Sequence, residues 1–131
     1  MALITAQEIN NIAFISAIPE SNFKTDTIQL VENKVKHILT PSFFDEVVNN
    51  QSNYQNLINQ YIKPYMAFMI KAYTLQTIIS DGGLSFDEVN SYKTAITSAG
   101  STAQSYFNQL INHLQSSYGI TRKIISGFTV S

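Results

Sequence analysis

Apolar residues recur at three- and four-residue steps along almost the whole chain, the spacing of one helix face rather than the alternation of a half-buried strand. Thr5-Ala6-Gln7-Glu8 fits a capping box, in which Thr and Glu reciprocally satisfy the free amides at a helix start. A short first helix over 5–12 follows and ends before Pro19. Thr25 is placed to cap a second helix over 25–39, with Ile28, Val31, Val35, Ile38 and Leu39 as its apolar face. Thr40-Pro41 reads as an N-cap followed by proline at the first helical position. It opens a third helix over 41–48, on which Phe43, Phe44 and Val47 are apolar. The polar run Asn49-Asn50-Gln51-Ser52-Asn53 leads to a longer helical stretch over 54–79. Pro64 lacks an amide donor, so it must either kink this stretch or begin a new helix. From Tyr65 to Ile79 the stretch is apolar around most of its circumference, which places it in mid-bundle or between a bundle and a partner.

Asp81-Gly82-Gly83 stops that helix, and Ser85-Phe86-Asp87-Glu88 is a second capping box. Phe86, Val89, Tyr92, Ile96, Ala99, Ala103, Phe107, Leu110 and Leu114 then keep helical steps without a slip. The register predicts one helix over 85–116, about 45 Å long. A break at Ser98-Ala99-Gly100-Ser101 is the alternative, and small residues there also suit close approach of a neighbouring helix. Beyond residue 117 the character changes. Ile120, Ile124, Ile125, Phe128 and Val130 are too apolar for a solvated end, and a lone strand is unstable in water. The expected fold is therefore an all-α small bundle over 1–117, with an extended C-terminal arm over 118–131. The arm either folds back on its own helices or adds as a strand to a neighbour, which makes Ile120, Ile124, Ile125, Phe128 and Val130 the candidate interface residues.

At 131 residues the chain is one domain by size, and its 44% apolar content suits a globular fold. Only 13% of residues are charged, and eight Lys+Arg against nine Asp+Glu leave a net charge of −1. A near-neutral chain with one arginine, Arg122, has no electrostatic footprint for phosphate backbones, so nucleic-acid binding is not expected as its task. Seven tyrosines and eight phenylalanines lack the interleaved basic residues that base stacking normally accompanies. Absence of cysteine excludes disulfides, thiol catalysis and thiolate metal sites. The start, Met1-Ala2-Leu3-Ile4, lacks a basic n-region and an apolar h-region, so no secretory leader is expected. The uncharged run 94–121 is long enough for a bilayer, but its Ser, Thr, Asn and Gln would be costly in lipid.

Candidate chemistry is sparse. If Gly82 were the glycine of a calcium loop, Thr77 and Ile79 would hold its first and third positions, and Ile79 supplies no oxygen. His37 and His113 lie far apart, without a second ligand at helical spacing. The neighbouring carboxylates Asp45-Glu46 and Asp87-Glu88 are expected in the first turns of helices, where they complement the dipole. No nucleophile elbow, phosphate loop or dinucleotide fingerprint occurs, so neither catalysis, a metal nor a cofactor is expected.

The opening Ala2-Leu3-Ile4-Thr5-Ala6-Gln7-Glu8-Ile9 resembles the start of the small helical head–tail connector (adaptor) proteins of tailed bacteriophages. So does Ile28-Gln29-Leu30-Val31-Glu32-Asn33-Lys34-Val35 running into Leu39-Thr40-Pro41-Ser42-Phe43-Phe44-Asp45-Glu46-Val47, a helix entering a proline turn and a short aromatic helix. Tyr54-Gln55-Asn56-Leu57-Ile58 through Pro64-Tyr65-Met66-Ala67-Phe68-Met69-Ile70-Lys71-Ala72-Tyr73 is similar to that family's central helix. The likeness lies in order and spacing over roughly the first 115 residues, and the arm has no counterpart in it. It implies a structural subunit of a ring, commonly a dodecamer, docked on the portal protein in the virion neck around the DNA channel. Other neck and tail proteins would be its further partners, with assembly in the host cytoplasm. The Asn-rich, Lys-over-Arg composition suits a phage of a low-GC host, of the Bacteroides-infecting (crAss-like) type. Two other readings stay open: a small cytosolic helical adaptor working as monomer or dimer, and an enzyme whose site is assembled from scattered Asp, Glu, His and Tyr.

Overall fold

The computed structural model describes residues 3–120, and Ile124, Ile125, Phe128 and Val130 lie outside them. The described chain is all-α, with no strand. Helix α1 (Ala6–Ala13) begins at the expected box: the Glu8 amide donates to Thr5 Oγ1 at 3.2 Å and the Thr5 amide to Glu8 Oε1 at 2.9 Å. After a 3₁₀ turn at Glu20–Asn22 comes α2 (Thr25–Leu39). Here Lys24, not Thr25, occupies the cap position and makes no side-chain cap bond. Asp26 in the first turn supplies the negative charge that the helix start favours.

Helix α3 (Pro41–Asn49) follows α2 through the single residue Thr40. Thr40 ends one helix and starts the next at φ 75° and ψ 146°, and its hydroxyl caps nothing. The fixed φ of Pro41 starts the helix in its place, and the Phe44 amide donates to the Thr40 carbonyl at 2.9 Å. Asp45 and Glu46 fall beyond the first turn, because the helix begins as early as Pro41. Glu46 instead accepts the Tyr54 hydroxyl at 3.1 Å, tying α3 to the 3₁₀ turn Gln51–Tyr54.

Of the two expected outcomes at Pro64, the structure shows the second: a new α-helix begins there, after a π turn rather than a break. Helix α4 (Gln55–Leu57) passes into a π turn (Ile58–Ile62) and then into α5 (Lys63–Asp81), with the junction residues all in the right-handed helical region. The Lys63 amide donates to the carbonyl of Ile58, five residues back. This wider turn delivers Pro64 to the start of a new α register, where a missing amide leaves no gap. Helix α5 ends at Gly82, whose φ of 82° only glycine adopts freely. Thr77 and Ile79 lie inside α5, so the residues around Gly82 form a helix stop and a second capping box.

Helix α6 (Phe86–Tyr118) is unbroken through Gly100. A Cβ built on Gly100 would meet nothing within 4 Å, so this glycine does not admit a neighbouring helix. The small residues facing inward are Ala99 and Ala103, 2% and 1% exposed. The helix runs two residues past its expected end and closes in an αL cap: Gly119 takes φ 64° and its amide donates to the Gln115 carbonyl at 3.2 Å, while the Ile120 amide donates to the Leu114 carbonyl at 3.1 Å. Tyr118 to Ile120 thus finish the helix, with Ile120 half-buried against the core.

Helix α5 occupies the middle, against α6, α1 and α2. Ile9, Val31, Val35, Leu39, Leu57, Ile62, Met66, Ile70, Leu110 and Leu114 are all fully buried around it. Each such side chain contributes about 1.5–3 kcal/mol by leaving water.

Candidate interaction surface

The apolar stripe of α6 outruns the core. Burial on α5 stops at Leu75 and on α6 begins only at Ala99. Between them no residue from 76 to 98 is buried. The two helices therefore project as a hairpin, α5 running six residues, about 9 Å, beyond Leu75. Ile78, Ile79, Leu84, Val89, Tyr92 and Ile96 are half-covered on it, and Phe86 at its tip is 80% exposed. One groove of about 620 Å³ runs between its helices, past Ile79, Lys93 and Ile96. The second capping box fixes the tip: Ser85 Oγ accepts the Glu88 amide at 3.1 Å, and Glu88 Oε1 the Ser85 amide at 2.9 Å. These bonds favour the charged carboxylate and hold Glu88 below its ordinary value.

At the hairpin's base lies a second open cleft. The segment after α1 is clasped by Asn10, itself 7% exposed: its Nδ2 donates to the Ile18 carbonyl and its Oδ1 accepts the Ile18 amide, both at 3.0 Å. Phe14 and Ile18 are thereby held opposite Leu75, Tyr92 and Ala95, leaving about 380 Å³ between them. A connected recess of about 410 Å³ shares Phe14 and Lys71 and is rimmed by Ile15, which is fully exposed. Lys71 is the cleft's cation. Its Nζ donates to the Ala13 carbonyl at the C-terminus of α1 at 2.8 Å and stands 5.0 Å from the Phe14 ring centroid. Burial pushes its pKa down, and no carboxylate pairs with it among the described residues.

The opposite end of α6 carries aromatic rings. Phe43, Tyr54 and Tyr118 meet at 5.3–6.1 Å between centroids, and His113 stacks on Tyr61 at 4.4 Å. Burial and the neighbouring Glu46 carboxylate raise the Tyr54 hydroxyl above its ordinary value. His37 is exposed on α2, remote from this cluster in sequence and on another helix. Among the described residues no group of three or more His, Cys, Asp or Glu is placed to hold a metal ion. No helix there is long and apolar enough to cross a membrane.

Of the expected interface residues, Ile120 alone is described, and it packs on its own core. With no strand between residues 3 and 120, a copy of this chain presents no sheet edge there for an arm to extend. Sequence reasoning assigned Phe86 to a continuous helix face and passed over Ile15 and Lys71. The periodicity marks which residues share a face but not where the opposing core ends. No family model, curated protein or solved structure matches the chain.

Proposed function

We propose that the chain is a non-catalytic ring subunit that joins head to tail in a tailed phage, docking on a portal protein around the DNA channel. The observation that carries this reading is the projecting hairpin, whose apolar residues are only partly covered by its own chain and whose tip exposes Phe86. An exposed apolar surface of this kind belongs to a protein that meets a partner. The connector-like order of helix, proline corner, short aromatic helix and central helix supports it, as does the low charge, which lets copies sit side by side with little repulsion. The segment 121–131, which carries Ile124, Ile125, Phe128 and Val130, then reaches a neighbouring neck protein.

Light scattering on the purified protein, followed by electron microscopy with and without a portal, tests the proposal. Closed rings, formed alone or on the portal, are expected. A monomer or dimer that ignores the portal refutes the ring and leaves the cytosolic adaptor.

A further inference from the structure

We infer that the hairpin tip of one copy seats in the Lys71 cleft of a second copy, with Phe86 as the apolar anchor and Asp87 against the Lys71 ammonium. The two surfaces lack what the other supplies. Phe86 is 80% exposed at the first position of α6, held there by the capping box. Six residues further along the same rigid helix, Tyr92 already lines the cleft, so Phe86 cannot fold into the cleft of its own chain. The cleft offers Phe14, Ile18, Leu75 and Tyr92 around a space with room for an aromatic ring, and Ile15 extends its apolar rim.

Charge selects the occupant. Covering an ammonium with an apolar surface alone is costly, so a fitting partner must bring a carboxylate beside its apolar group. Among the described residues Lys71 has no carboxylate partner and Asp87 no cation. Leu84-Ser85-Phe86-Asp87 places an apolar ring and a carboxylate on adjacent residues of one exposed turn. A copy that gives its tip to one neighbour keeps its cleft free for another, so head-to-tail contacts build a ring where their rotation closes and a filament where it does not. A reciprocal exchange would close at two copies. The docking needs only self-association and shares nothing else with the ring reading.

Analytical ultracentrifugation of the full chain tests it with Phe86→Ser, Asp87→Lys, Lys71→Glu and the combination of the last two. Each single change is expected to weaken self-association at least about tenfold. The reversed pair is expected to restore it. Phe86 and Asp87 are exposed, so circular dichroism of their variants should match the parent, and they keep the test clean where Lys71→Glu disturbs the end of α1. A parent chain that stays monomeric, or association indifferent to Phe86→Ser and Asp87→Lys, overturns the inference. So does a reversed pair weaker than either single change. Reciprocal dimers lost with Phe86→Ser uphold the docking and refute the ring, whereas rings untouched by Phe86→Ser do the opposite.

Discussion

Replacing Asn10 removes the two bonds that clasp Ile18 to α1, and the cost follows from what is left unpaired. Each bond contributes about 1 kcal/mol net, and an orphaned buried group costs about 1–3 kcal/mol. Ile18 is only half-buried, so water reaches its freed amide and carbonyl in part and the lower figures apply. Asn10→Ala is thus expected to lose about 2 kcal/mol, measured by urea unfolding. Hydrogen exchange should show the Ile18 amide losing protection while Leu110, in the core, follows only the global change. Asn10→Asp is the sharper variant. A carboxylate there still accepts the Ile18 amide, but its other oxygen faces the Ile18 carbonyl at about hydrogen-bond distance with no proton between them. The neutral carboxyl is favoured in the fold, so the folded pKa rises above the ordinary aspartate value of about 3.9. Stability of this variant is then near that of the parent below pH about 4 and falls as pH rises through the raised folded value. Asn10→Ala lacks this pH dependence. An Asn10→Ala loss under about 0.5 kcal/mol with Ile18 protection unchanged would refute the clasp. So would an Asn10→Asp profile parallel to the Asn10→Ala one.

Three further outcomes are expected. Burial pushes the Glu8 carboxyl up, but the Lys63 ammonium and the Thr5 amide outweigh it and hold it below its ordinary value of 4.5. Its contribution is complete above that pH and lost as pH falls through the lowered folded value, so Glu8→Gln should flatten the acid side of a melting-temperature profile. Gly100→Ala should stabilise by about 0.5–1 kcal/mol in urea unfolding, since the position is an exposed helix interior with open space for the methyl group. Thr40→Gly should raise the melting point through relief of about 1 kcal/mol of backbone strain at φ 75°, and a lower melting point would show that Thr40 is not strained.

Local chemistry written in consecutive residues carried through to the fold. Thr5 with Glu8 and Ser85 with Glu88 form their boxes because both partners lie within one turn, and no distant contact is needed. The apolar steps of α2 and α6 likewise marked which residues share a face, and hence the all-α class. Pro64 shows the limit of that reading. Its missing donor announced a kink or a new helix start, but the π turn that leads into that start reflects how Ile58 and Ile62, both buried, meet the core. Thr40 makes the same point, because its unusual φ is imposed by packing α2 and α3 on either side of one residue. The interaction surface was the least legible. Phe86 and Phe107 occupy equivalent places in one unbroken stripe, yet one is 80% and the other 1% exposed. Periodicity assigns a residue to a helix face, whereas burial requires another element opposite that face. Only the tertiary structure decides where the opposing elements stop, and with them where Phe86, Ile15 and Lys71 come to stand at the surface.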